Sequence, residues 1–319
     1  MPIKPLFRAT LLLAALLAAP LAPARTSASA ADTTAAVAAK PPVPLLWKVT
    51  GPGDARLYLL GSFHLLKPQD YPLSPDVEQA FEASQRIVFE LSPEDMQSPQ
   101  LASRMVQAAT RTDGSELRRD LDAATWQKLQ AFAGGNKLPL AQLQGMKPWF
   151  VGLSISVGQM QKLGLDPALG LDRHFMERAQ KTGRKTAGLE DIDTQIGMLD
   201  GMTVQEQRQM LAEALDQAGK GDEQARLLHD AWRRGDERLL WTKMAAEMRQ
   251  QYPQLYQRIN TGRNDAWVPK LVPYLQAGQG GTLVVVGTLH LLGNDGVVEK
   301  LKAKGYKVER VCTGCKAKR

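Results

Sequence analysis

Two of the chain's four histidines stand in matched hexapeptides, GSFHLL at 61–66 and GTLHLL at 287–292. In each, a glycine lies three residues before the histidine, where a strand exit favours a turn free of a Cβ. Two carboxylates accompany them. Glu90 closes the apolar run Ile87-Val88-Phe89, and Glu190 closes a weaker run that starts at Arg184. A carboxylate at the end of a buried strand is costly unless it is paired or coordinating. Two imidazoles with one or two carboxylates suit Zn²⁺, Mn²⁺, Co²⁺ or Fe²⁺, and an open position on such an ion activates water. A lone histidine at a strand end is more often a hydrogen-bonded loop or core residue than a ligand. The matched pair moves the balance towards a shared site, because sheet stability calls for an imidazole at neither place. An ancestral duplication would leave the same trace. His174 and His229 lie in polar helical stretches and read as surface residues.

The elements that must carry these side chains follow from local pattern. Pro44–Val49 and Arg56–Leu60 are short apolar runs separated by the turn signal GPGD, which predicts a hairpin. The first hexapeptide precedes a helix over Pro75–Ser84, with Ser74 as N-cap and Pro75 in its first position, and then the strand Arg86–Leu91. The second follows the strand Thr282–Val286 and precedes a helix over Gly296–Lys304, capped by Asp295, and a strand over Tyr306–Val311. Between them lie amphipathic helices from Ser92 to about Leu165, then Leu171–Gln180, Val204–Ala218 and Glu223–Arg249, and a helix closing at Tyr274-Leu275. Their Leu, Met and Trp stripes are core faces. The expected fold is α/β (α+β): a mixed central sheet built from two strand–GxxH–helix–strand units, with a large helical insertion at roughly 92–275. In open α/β sheets ligands bind beyond the carboxyl ends of strands, and each unit delivers one imidazole there.

Composition narrows the classes. Lys4 and Arg8, the Ala/Leu run Ala9–Ala24 and the small residues around Ala24 and Ala30 have the layout of a secretory signal peptide over 1–30. Residues 31–44 read as a disordered Ala/Thr/Pro leader, and 45–319 as a single domain. The formal net charge is +7, and +4 without Lys4, Arg8 and Arg25. Basic and acidic residues are interleaved outside the tail, which argues against a nucleic-acid footprint. No run after the leader is long and apolar enough to span a bilayer. Cys312 and Cys315 are the only cysteines. In an oxidising compartment the default for them is a local disulfide, with two free thiols as the other structural reading; a pair four residues from the end of this sequence is not expected to open a helix that activates a thiol, and no further cysteine completes a zinc site. HExxH, GxSxG, GxxxxGK[ST] and GxGxxG are absent, which removes zincins, ordinary serine hydrolases and nucleotide-binding enzymes.

LYLLGSFHLL, the IVFEL strand, KPWFVGLSISV (147–157), LGLDRHFMERAQKTGRKTAGLEDIDTQIGMLD (169–200), RND with Trp267, and VVVGTLHLLGNDGVVEKLKAKGYKVERV (284–311) together resemble the TraB/GumN family, in the TraB/PrgY/Tiki-like group. That group includes pheromone-shutdown proteins and the Tiki proteases that cleave Wnt proteins. The resemblance implies a metal-dependent hydrolase, of peptidase type, using Mn, Co or Zn. His64, His290 and Glu90 correspond to the metal site, and Glu90, Glu190 and Arg263 to the catalytic groups. Arg263, with Asn264 beside it, would stabilise an oxyanion or pair with Glu90 or Glu190. Asp172 corresponds to a family acid, and its position also suits a helix cap. The resulting expectation is an exported, periplasmic or secreted hydrolase of peptide or protein substrates. The alternatives are a non-catalytic periplasmic binder of haem, metal or a glycan fragment, and a partner protein in polysaccharide production or signal regulation. The fold also resembles haem-binding and erythromycin-esterase-like relatives.

Overall fold

The structure, a computed structural model, describes residues 40–278 and 280–315. The expected signal peptide and the leader to residue 39 lie outside the described residues. Lys40–Pro44, assigned above to the leader, are packed: Val43 N–H donates to Arg233 O at 2.8 Å, and Ser74 N–H to Pro42 O at 3.1 Å. Main-chain pairing holds this stretch in spite of its three prolines.

Six strands form one mixed sheet: β1 (Leu46–Thr50), β2 (Arg56–Ser62), β3 (Arg86–Leu91), β4 (Lys185–Glu190), β5 (Gly281–Gly287) and β6 (Lys307–Arg310). Their order is β4-β3-β5-β2-β1-β6. β1 and β2 are the expected hairpin, in antiparallel register with Trp47 opposite Leu59. β2, β5, β3 and β4 run parallel to one another, so their carboxyl ends share one edge. β5 is buried along all but its first residue, as a strand covered on both faces must be. The two GxxH strands are immediate neighbours, with Ser62 opposite Gly287.

The helices that bear on the site are α1 (Pro75–Glu82), α2 (Pro93–Met96), α3 (Ala123–Gly135), α4 (Pro148–Lys162), α5 (Leu171–Lys181), α6 (Ile192–Asp200), α7 (Val204–Lys220), α8 (Glu223–Arg233), α9 (Gly262–Gln276) and α10 (Val297–Ala303). The main core joins the sheet to the helices, with Leu57, Phe81, Phe89, Trp149, Phe175, Trp232 and Trp267 among its fully buried side chains. A second, smaller cluster lies among α3, α4 and α7.

Three local expectations are corrected. The helix expected over Glu223–Arg249 stops at Arg233, because Gly235 takes φ 60 and Asp236 starts a new turn by accepting from Leu239 N–H at 3.0 Å. Asp295 does not cap α10. Gly296 holds the N-cap position, while Asp295 accepts from Tyr256 O–H at 3.0 Å and Thr261 O–H at 3.1 Å. Neither His174 nor His229 is a surface residue. His229 is buried against the carboxylate of Asp70, its Nε2 2.7 Å away. His174 is half-buried 4.5 Å from the Tyr71 ring, and burial with Arg178 and Lys181 nearby pushes its pKa down to about 4. Among the described residues no helix is long and apolar enough to cross a membrane.

Candidate functional site

The two hexapeptides interlock where β2 and β5 end. Thr288 O–H donates to Ser62 O at 2.9 Å, and Trp232 Nε1–H of α8 donates to Gly61 O at 2.9 Å. The repeated glycines have steric reasons. A Cβ on Gly61 would lie 2.8 Å from Thr288 Oγ1, and one on Gly287 would lie 3.2 Å from both Glu90 Oε1 and His64 Nε2. The glycine of the second motif therefore makes room for the histidine of the first.

His64 is held by α5. Leu171 N–H donates to Phe63 O at 3.2 Å, which seats the helix start under the first hexapeptide. Asp172, one residue on, accepts from Ser62 O–H at 2.9 Å and stands 3.1 Å from His64 Nδ1. This replaces the expected capping role: no side chain caps α5, whose N-cap is Gly170. With Nδ1–H directed at a carboxylate, the Nε2 lone pair points the other way. That Nε2 is buried without a hydrogen-bond partner and lies 4.0 Å from Glu90 Oε1. Burial lowers the His64 pKa, but Asp172 and Glu90 outweigh it and the net shift is upward.

Arg263, in the first turn of α9, organises the other half. Its Nε and Nη2 donate to Glu190 at 2.9 and 2.8 Å, Nη2 donates to Glu90 Oε2 at 2.7 Å, and Nη1 donates to His290 Nε2 at 3.1 Å. Of the two roles expected for it, the geometry displays the ion pair, with both glutamates at once. Trp267, four residues on and so on the same helix face, donates Nε1–H to Glu190 Oε1 at 2.8 Å. Asn264 Nδ2–H donates to Asp295 O, which turns its Oδ1 to accept from His290 Nδ1–H at 2.7 Å. His290 is thus the neutral Nδ1–H tautomer, and burial together with the Arg263 charge holds its pKa well below the usual value. Burial pushes Glu90 up, but Arg263, His64 and the Gly287 N–H, which donates to Oε1 at 2.7 Å, hold it below the usual carboxylate range.

The expected residues therefore meet at one sheet edge but divide into two groups. His64 and Glu90 face a common cavity of about 20 Å³, which they line with Asp172, Met96, Met176 and Gln195. That is room for one water or one bare ion. Arg263, Glu190 and His290 are not among its lining residues. Among the described residues no group of three or more His, Cys, Asp and Glu is arranged to hold a metal ion. A divalent cation nevertheless suits the His64–Glu90 gap. An unpartnered buried imidazole nitrogen and a carboxylate oxygen converge there, Glu90 and Glu190 share one guanidinium, and Asp172 adds a third carboxylate on the far side of the His64 ring. Gln195 was missed from sequence. It is buried, lines the cavity and stands in an ordinary amphipathic helix, α6; its one signal was its place inside the stretch 169–200 that carries the family resemblance.

A family model described as the TraB/PrgY/gumN family matches residues 45–310. The protein belongs to the TraB/PrgY/gumN family. No curated protein and no solved structure gave a match.

Proposed function

We propose that this protein is an exported hydrolase of peptide or amide bonds that works with a divalent metal at the His64–Glu90 gap. One observation carries the reading: His64 Nε2 is buried without a partner, aimed by Asp172 into a one-water cavity and faced by Glu90. His64 Nε2 would hold the cation, and Glu90 Oε1 would either share it or act as the base. A bound cation there would supply a water of lowered pKa. Glu90, kept ionised by Arg263, takes the proton as the water oxygen bonds to the substrate carbonyl carbon, and passes it to the departing amine as the C–N bond breaks. Arg263 keeps one Nη1–H uncommitted to Glu90, Glu190 or His290, which suits it to the developing oxyanion. Glu190, saturated by Arg263 and Trp267, positions the guanidinium. Export is supported by the leader sequence and by the disulfide between Cys312 and Cys315, a pairing typical of oxidising compartments.

The test is metal content and turnover of mixed-sequence peptides by wild-type protein, His64→Ala and Glu90→Gln. Wild type should bind one equivalent of Mn²⁺, Co²⁺ or Zn²⁺ and lose turnover to a chelator. His64→Ala should lose both metal and turnover. Glu90→Gln should keep the metal if Glu90 is the base and lose it if Glu90 is a ligand. Stoichiometric metal and full turnover in His64→Ala would sink the reading. The small cavity favours a second reading, a protein that binds the cation without turnover, recognised by tight metal binding with no peptide cleaved. Haem or a glycan fragment needs far more room than the cavity offers.

A further inference from the structure

A groove of about 380 Å³ opens beside the centre, between α2 and α5 and over the start of β4. Pro93, Glu94, Gln97, Met176, Gln180 and Thr186 are among its lining residues. Met176 also lines the His64–Glu90 cavity, so its side chain stands between groove and centre. A thioether on three rotatable bonds is suited to yielding there.

The lining selects among occupants. β4 is the last strand of the sheet, and its outer edge pairs with no strand among the described residues. Thr186 is the residue by which β4 reaches the groove, and an extended peptide there would run alongside its main chain. The walls carry the exposed carboxamides of Gln97 and Gln180 and no aromatic ring on which a sugar would stack. Charge is one-sided. Arg184 is committed to Glu82 at 2.8 Å and to Ser84 O at 2.9 Å, whereas Glu94 is exposed and has no ion-pair partner among the described residues. Pro93 and Met176 supply an apolar floor.

We propose that this groove binds the substrate as an extended peptide, with an apolar side chain over Met176 and a lysine or arginine against Glu94. The proposal rests on the hydrolase reading above, and it assigns that enzyme's approach path and its preference for basic–apolar sequences.

Binding is tested without relying on turnover, using fluorescein-labelled decapeptide pools of Ala/Leu background that carry arginines, glutamates or glutamines. Fluorescence anisotropy should show the arginine pool bound about fivefold more tightly than the glutamate pool, the scale of one exposed charge contact. Glu94→Lys should reverse that order. Gln180→Trp, which fills the groove, should weaken every pool by about tenfold, or 1.4 kcal/mol. Both substitutions are at exposed positions, and unchanged melting temperatures would confirm intact folds. An arginine pool bound no better than the glutamate pool, or unaltered binding in both variants, would overturn the proposal. If binding behaves as expected but no pool is cleaved, the groove stands and the hydrolase reading falls. Cleavage that ignores both groove variants would have the opposite meaning.

Discussion

Arg263 concentrates the energetics of the centre in one side chain. A guanidinium offers five N–H donors in a rigid fork, and this one spends four of them on Glu190, Glu90 and His290. Lysine could not reproduce that geometry. Removing one partner of a buried ion pair costs about 3–5 kcal/mol, because the remaining charge stays desolvated. Arg263→Met keeps most of the side-chain bulk and should lose about that much stability in urea unfolding. Adding Glu90→Gln removes one stranded carboxylate and should recover about 0.5–3 kcal/mol, the usual coupling of residues in contact. An Arg263→Met variant that unfolds at the wild-type midpoint would mean that the glutamates find other compensation.

At the scale of elements, the loop after the first hexapeptide is clamped to α8. Asp70 is fully buried and accepts from Lys67 N–H at 2.7 Å, from His229 Nε2 at 2.7 Å and from Arg233. The same helix carries Trp232, whose indole N–H holds the Gly61 carbonyl, so the clamp also positions the turn that presents His64. Burial pushes the Asp70 carboxyl up, but His229, the Lys67 N–H and Arg233 outweigh it, and its pKa lies below the usual value. The unfolded chain therefore takes up this proton at a higher pH than the folded one. The stabilisation is complete above about pH 4, the ordinary aspartate pKa, and is lost as pH falls through the lower folded value. Asp70→Asn should be less stable at neutral pH but lose less additional stability on acidification. Urea midpoints measured from neutral pH down to about pH 3 check this, and an unchanged acid slope in the variant would contradict it.

Across the whole molecule, the sheet and the outer helices differ in how they are held. β5 sits in the middle of the sheet with strands on both sides. α3, by contrast, packs on α4 and α7 through the smaller cluster, which includes Leu129, Val151, Ile155 and Leu211. Elements with fewer buried contacts open at lower free energy than the central strands. Amides of α3 should exchange with deuterium well before those of β5, as read by peptide-level mass spectrometry. Equal protection in the two would show that the helical layer and the sheet open only together.

What the sequence determined by itself was local. Apolar runs, GPGD and the glycines before the histidines depend on chain neighbours, so the hairpin, β3, β5 and even the weak strand β4 were legible. So were the candidates at their ends, His64, Glu90, Glu190 and His290, and the family resemblance supplied Arg263. Partnership was not legible. Asp172 sits where a helix cap belongs, yet its carboxylate goes to His64 because Ser62, at the end of β2, and His64, in the turn after it, approach it from 110 and 108 residues away in sequence. His229, in the polar stretch LLHDAWRRGD, is buried because Asp70 accepts its hydrogen bond from a distant loop. The two GxxH histidines read as equals, and only strand order separated them. β5 lies between β2 and β3, which puts His290 against the guanidinium of α9 and leaves His64 facing the cavity. Periodicity tells each residue which way to point, but which side chain it meets is decided by the packing of elements far apart in the chain.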